Sequence, residues 1–334
     1  MSQTKLSAVL DEIISLVSER DSDALASSLT QILLTLANAK NTTIYSARGI
    51  TRAKHAITNN QTQPENEVIP KSIVNALFKC LTTAKISTIP LQGDTELTLF
   101  PLMCSKQKPQ AIITVEAENH ASNHDLMLQI LAIYHNLMSL IHENEHDTLT
   151  GLLNRKTFDL KINDIITNLQ SHSHVHSKAN DEPNVYLAIF DLDHFKRVND
   201  THGHLLGDEI LLLFSQQMHK SFRDKDLLFR FGGEEFIGIF QCSDDDTITH
   251  ILDRFREAIA QFNFPQVGQV TTSCGFTKIG ACDLSSNTIG RADLSLYHAK
   301  HNGRNQICQY EQLIASSALE EEKSSSDDIE LFLR

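Results

Sequence analysis

Along the first 40 residues, apolar side chains recur at helical spacing in two runs. Leu6, Val9, Leu10, Ile13, Leu16 and Val17 fall on one stripe, and Leu25, Leu29, Ile32, Leu33 and Leu36 on another. Asp21 or Asp23 stands where the second helix needs a cap. Residues 43–47 then read as a short strand, residues 51–67 carry no clear period, and residues 68–84 return to helical spacing. Residues 86–91, 96–103 and 111–116 have strand character, the last two joined by the turn-like stretch at 105–109.

A longer helix follows, with Ser122 and Asp125 as its capping pair. Leu126, Ile130, Ile133, Leu137 and Leu140 alternate steps of four and three, and Asn144 continues the series. That is a heptad seam, and residues 122–145 as one helix span ~36 Å. Two readings fit so short a seam: one strand of a dimeric coiled coil, or an amphipathic helix packed on its own domain. The order of elements up to this helix resembles a small GAF-type sensory domain, with a PAS-like domain second. That likeness rests on pattern, covers roughly a third of the chain and includes no ligand motif.

Beyond Asp147 the texture changes. Phe158, Ile162, Ile165, Ile166 and Leu169 mark an amphipathic helix, which runs into a polar loop at 171–184. A strand at 185–191, a helix at 205–220, a hairpin at 227–240 and a helix at 247–262 come next. A strand at 269–278, a helix at 288–301 and a strand at 306–310 close the pattern, before a charged tail from Ser316 that reads as disordered. The expected fold class is α+β. A central, mostly antiparallel sheet flanked by helices occupies 147–313, after a small α/β domain (1–121) and a connecting helix (122–146), with an acidic tail at 314–334.

Composition narrows the function. With 41% hydrophobic and 21% charged residues the chain is ordinary globular protein. A net charge of −13 excludes a broad surface for DNA or anionic lipid, and makes the placement of each Lys and Arg informative. The six cysteines, Cys80, Cys104, Cys242, Cys274, Cys282 and Cys308, include no C-x-x-C pair and read as reduced thiols. No secretory h-region opens the chain, and no apolar run reaches the ~20 residues of a membrane span. The expectation is a cytoplasmic protein without membrane insertion.

The strand at 185–190 is almost wholly apolar and stops at Asp191-Leu192-Asp193. A carboxylate ending a buried strand is costly unless it is paired or metal-bound. Strand alternation puts Asp191 and Asp193 on one face. The arms at 227–231 and 236–240 enclose Gly232-Gly233-Glu234-Glu235, where glycines are expected to supply the positive φ of a tight turn and let phosphate approach. Asp191 with Glu234 would make a carboxylate pair suited to Mg²⁺. Spacing alone fits a metal–phosphate site and a solvated acidic turn equally.

The segment Arg230-Phe231-Gly232-Gly233-Glu234-Glu235-Phe236 resembles the signature of GGDEF-domain diguanylate cyclases in its GGEEF form. Four further blocks resemble family motifs, in family order, between Asp147 and Tyr310. They are Asp147-Thr-Leu-Thr-Gly-Leu-Leu-Asn-Arg155, Asp191-Leu-Asp-His-Phe-Lys-Arg-Val-Asn-Asp200 with Gly203-His204 and Gly207-Asp208, Thr271-Thr-Ser-Cys-Gly275, and Ala292-Asp293 through Gly303-Arg304-Asn305. The resemblance implies that a homodimer condenses two GTP into cyclic di-GMP, using Mg²⁺ or Mn²⁺. It implies that Asp191, Glu234 and the Leu192 carbonyl hold the metal, with Glu235 joining or sharing the base role with Glu234. It implies that Asn199 and Asp208 read guanine, that His204 is a further substrate contact, and that Lys196, Lys300 and Arg304 neutralise the triphosphate. Arg223 and Asp226, with Arg254 as secondary partner, resemble the family's inhibitory product site. The strand between Asp226 and Gly232 spans ~20 Å, so product there acts at a distance from GTP.

A silent GGDEF module acting as a receptor for GTP or cyclic di-GMP is the rival reading, and a cyclase of mixed purine specificity a second. Intact Asp191, Asn199, Asp208, Glu234 and Glu235 argue for synthesis. His172, His174 and His176 form an alternating cluster in the polar loop, open to metal binding or to none.

Overall fold

The computed structural model describes residues 3–19, 22–37, 39–46, 70–91, 93–103, 109–118, 124–175 and 183–319. The chain divides into two units, 1–144 and 145–334. The polar stretch at 51–67, Cys104, Ser122, His176 and the tail beyond Leu319 lie outside the described residues, as do the side chains of Asp21, Asp23, His172 and His174.

In the first unit, α1 (Gln3–Ser18), α2 (Ser22–Ala37) and α4 (His124–Glu145) frame β1 (Asn41–Ser46), α3 (Lys71–Thr83), β2 (Ser87–Pro90), β3 (Glu96–Met103) and β4 (Pro109–Ala117). The strands pair antiparallel in the order β1-β4-β3-β2. One core gathers Leu16, Leu25, Leu29, Ile32 and Leu33 against Phe100, Ile113 and Val115. A second sets Leu77 and Cys80 of α3 on Leu97, Leu99 and Ile112, alternate strand positions that face the other way. The expected α1 stripe is narrower than its sequence: Leu16 is buried, but Leu10 and Val17 are about half exposed. Most of the heptad seam is used within this unit. Met127, Ile130, Leu131 and Tyr134 are buried in its core with Leu126, Ile133 and Leu137 against them, while Leu140 is exposed.

The second unit is built on β5 (Leu153–Asn154), β6 (Asn184–Leu192), β7 (Leu227–Arg230), β8 (Glu235–Cys242), β11 (Thr272–Lys278) and β12 (Ile307–Gln309). Their order is β12-β11-β6-β8-β7-β5, antiparallel except for the outer pairs β11–β12 and β5–β7. β6 is central and nearly all buried, as its unbroken apolar run predicts. Tyr186, Ala188, Phe190 and Leu192 pack against α7 (His204–Ser221) and α8 (Asp245–Gln261). Val185, Leu187 and Ile189 face α5 (Arg155–Val175) and α9 (Ser285–His301). Gly275 lets α9 close on β11, because a Cβ there would run into the backbone of Ala292 and Leu296. Burying one such aliphatic or aromatic side chain contributes ~1.5–3 kcal/mol, so these two layers hold the sheet.

Several boundaries differ from the sequence pattern. The strand expected at 269–278 is broken: β10 (Gly268–Gln269) pairs with β9 (Asn263–Phe264), and β11 starts at Thr272. α6 (Phe195–His202) occupies a stretch whose polar residues conceal its period. The helix after Arg155 extends to Val175, into the expected polar loop. The last strand ends at Gln309, and Tyr310 opens α10 (Tyr310–Ala315).

Candidate active site

The end of β6 separates its two aspartates by role. Both are 4% exposed. Asp193 accepts from Thr271 Oγ1 (2.6 Å), Ser273 Oγ (2.7 Å) and the Asn305 N–H (3.0 Å), while its own N–H donates to the Thr271 carbonyl. It is an anchor. Asp191 stands opposite Glu235 on β8 and Ser273 on β11, and Lys300 Nζ of α9 lies 2.8 Å from its Oδ2. Burial pushes its carboxyl above the usual range; Lys300 opposes this, and Glu235 and Asp193 add to it. Glu234 is also raised, by burial first and then by Asp191. Asp293 is raised by burial, with Lys300 opposing and Asp191 adding. Three carboxylates, Asp191, Glu234 and Asp293, thus share one lysine.

The hairpin that carries Glu234 is not closed as its glycines suggest. Neither Gly232 nor Gly233 has a positive φ. The N–H groups of Phe231 and Gly232 both donate to the Glu235 carbonyl, which closes the turn with ordinary backbone angles. A Cβ at Gly232 would come within 2.7 Å of Glu235 Oε2, the end of a flexible side chain that can move aside. Arg230 holds the tip from behind, donating to the Gly233 carbonyl (3.0 Å) and to both oxygens of Asp147 (3.1 and 3.3 Å). Burial works against Asp147, yet Thr150 and Arg230 keep its carboxyl below the usual range. Arg155 lies 4.5 Å over the Phe231 ring, and Phe231 packs edge-on against Phe158. The segment Asp147–Arg155 is therefore a buttress for the acidic tip.

On the other side, His194, with φ 59°, turns the chain into α6 and Gly203, with φ 85°, turns it into α7. Asn199 Oδ1 is buried without a hydrogen-bond partner, and it occupies the space a side chain at Gly207 would need. An orphaned buried acceptor costs ~1–3 kcal/mol, which an incoming donor would recover. Asp208 is exposed beside it. Among the described residues, Lys196, His204 and Arg304 are exposed and make no hydrogen bond to the carboxylates. Arg223, Asp226 and Arg254 do come together. With Phe222, Phe240 and Ile251 they line a small surface cleft. Asp226 Oδ2 accepts the Arg223 N–H (2.7 Å), and Arg254 donates to the Ser221 carbonyl (3.1 Å).

Among the described residues no three His, Cys, Asp or Glu side chains enclose a metal by themselves. Mg²⁺ asks for less, one or two carboxylates with water and phosphate oxygens. The donor chemistry fits it: both Asp191 and Glu234 are raised first by burial, Asp191 then raises Glu234, and Glu235 and Asp193 raise Asp191. Sequence reasoning quoted Asp293, Asp147 and Arg230 without giving them roles. The signal for Asp293 was available, since it lies seven positions before Lys300 and so on the same face of one helix.

A buried strand end ringed by carboxylates, served by one lysine and flanked by an orphaned amide oxygen, defines an α+β domain built for a cation and a polyanion. Residues 144–306 match the model of the family described as "Diguanylate cyclase, GGDEF domain". The chain is 34% identical to diguanylate cyclase DgcP of Pseudomonas aeruginosa over 164 residues, 48% of this chain and 23% of that protein. It is 33% identical to diguanylate cyclase DgcM of Escherichia coli over 168 residues, 50% of this chain and 39% of that one. The chain thus spans well under half the length of either relative. A crystal structure of the GGDEF domain of DgcB from Caulobacter crescentus, in complex with c-di-GMP, matches half of this chain and 96% of that one at 28% identity and a TM-score of 0.44. Among the described residues no helix is long and apolar enough to cross a membrane.

Proposed function

We propose that the chain is a diguanylate cyclase, joining two GTP into cyclic di-GMP with release of two pyrophosphates. The observation that carries the reading is the set of raised carboxylates Asp191 and Glu234 around Lys300, beside the unpaired Asn199 oxygen. Asp191, Glu234 and the Leu192 carbonyl would hold Mg²⁺ or Mn²⁺, which would supply charge stabilisation for the phosphates. Lys300, with Lys196 and Arg304, would neutralise the triphosphate. Asn199 and Asp208 accept from guanine N–H groups that adenine lacks, and His204 adds a contact. The 3′-oxygen of one nucleotide attacks the α-phosphorus of the other, the bond to pyrophosphate breaks, and Glu234 or Glu235 takes the hydroxyl proton. Burial raises the affinity of Glu234 for that proton.

Each protomer presents one nucleotide, so the active form is a homodimer. The cleft at Arg223, Asp226 and Arg254 is a site for the product, whose phosphates suit two guanidinium groups. The first unit is a GAF-like regulatory module, supported by the order of its elements, and α4 connects it to the cyclase. We place the protein in the cytoplasm.

Incubation with GTP and Mg²⁺, followed by anion-exchange chromatography, should give cyclic di-GMP and pyrophosphate in a 1:2 ratio. Absence of the cyclic product at every protein concentration overturns the reading. Glu234→Ala should stop synthesis, whereas a mere nucleotide receptor would keep its function with this change.

A further inference from the structure

Arg256 of α8 belongs to none of the motifs above, yet its side chain is only 18% exposed. Its Nε donates to Asp253 (2.6 Å), and one terminal nitrogen lies 3.5 Å from Glu257. The other donates to the side-chain oxygen of Asn305 (3.0 Å). Asn305 ends a run of three residues in the left-handed region: Gly303 at φ 111°, Arg304 at 60° and Asn305 at 44°. Two of these lack the freedom of glycine, and such backbone persists only where its surroundings over-determine it. The surroundings here are few and identifiable. The Arg304 N–H donates to the Ala299 carbonyl, the Asn305 N–H to Asp193, and Arg256 grips the Asn305 side chain.

The helix that carries Arg256 is itself fixed. In its first turn Asp245 accepts from Tyr186 (2.6 Å) and from Gln309 (2.8 Å). Asn305 lies two residues before β12 and Gln309 is the last residue of that strand, so α8 holds both the strand and the turn before it. Two residues before Arg256, Arg254 lines the cleft with Ile251. One helix therefore touches both the proposed product cleft and the turn that presents Arg304.

We propose that Arg256 is a positioning residue for the triphosphate end of the substrate: by holding Asn305 it sets the direction in which Arg304 projects. The inference rests on the reading of Arg304 as a phosphate contact. It would be tested by calorimetry on the full chain with Mg²⁺ and 3′-deoxy-GTP, which binds but lacks the attacking hydroxyl. Arg304→Ala should weaken binding about tenfold, Arg256→Ala by a similar factor, and the double variant no further than Arg304→Ala alone. Arg256→Gln keeps an N–H donor for Asn305 and should recover most of the loss. Guanosine, without phosphates, should compete equally in all variants.

If Arg256→Ala does not fold, Asn305→Gly removes the acceptor, tolerates the left-handed backbone, and should show the same loss. Additive losses, or an equal loss for guanosine, overturn the inference. An effect of Arg304→Ala with Arg256→Ala and Asn305→Gly both inert sinks it and leaves the phosphate reading standing. No effect of Arg304→Ala removes both.

Discussion

The two ends of β6 carry the same chemistry to opposite results. At its start, Asp245 receives the Tyr186 hydroxyl and the Gln309 amide, and these donors hold its carboxyl below the usual range. At its finish, burial drives the Asp191 carboxyl up, one lysine opposes this, and Glu235 and Asp193 add to it. Asp193, two residues further, shows that the finish is not short of donors, because it takes three. Asp245 is less buried than Asp191, but Asp191 and Asp193 are equally buried, and what separates that pair is how their valences are filled. A fully served carboxylate fastens elements together, whereas an under-served one leaves capacity for a ligand.

The largest effect should come from the under-served end. Asp191→Ala or Glu234→Ala is expected to lower the rate of cyclic di-GMP formation at least ~10³-fold, measured by chromatography under saturating GTP and Mg²⁺. Retention of a tenth of the rate by both variants would place the cation elsewhere. Next comes the served neighbour. Asp193→Ala strands three donors and should cost about 3 kcal/mol in urea unfolding, a loss that added Mg²⁺ does not restore. A neutral outcome would mean that Asp193 is no anchor.

At the cleft, Arg223→Ala should raise the product concentration for half-inhibition at least about tenfold, each rate being taken relative to the same variant without product. An unchanged inhibition curve would detach the cleft from regulation. The smallest effect belongs to the start of β6. Tyr186→Phe should cost about 1 kcal/mol near neutrality. Because Asp245 is held low, the stabilisation is complete above the ordinary carboxylate range and disappears as pH falls through the lowered value. The deficit of the variant should therefore shrink below about pH 4, and a deficit that grows there would reverse the assignment.

Much of this was legible in the chain itself. The apolar run at 185–190 announced the central strand, and Asp191 at its end announced a cost that something must offset. Ordered motifs pointed to Glu234, Asn199 and Lys300. Three things were hidden, each for a physical reason. α6 is short and mostly polar, so its two buried apolar residues, Phe195 and Val198, leave no stripe to detect. Gly232 and Gly233 imply a turn with positive φ, but the turn closes on the Glu235 carbonyl with ordinary backbone angles, which only the fold reveals. The hold of Arg256 on Asn305 joins residues 49 positions apart, beyond any local pattern. The heptad seam could serve two partners on paper, and four of its residues, Leu126, Ile130, Ile133 and Leu137, pack fully or partly buried on the core of their own unit.

The outermost strands of the second unit's sheet, β5 and β12, are two and three residues long. Borders so brief expose few idle amide and carbonyl groups, and offer little template for a neighbouring chain to lengthen the sheet. At this sheet, the proposed pairing of two copies would rely on side-chain surfaces. The pairing can then be made and undone without disturbing a hydrogen-bonded ladder.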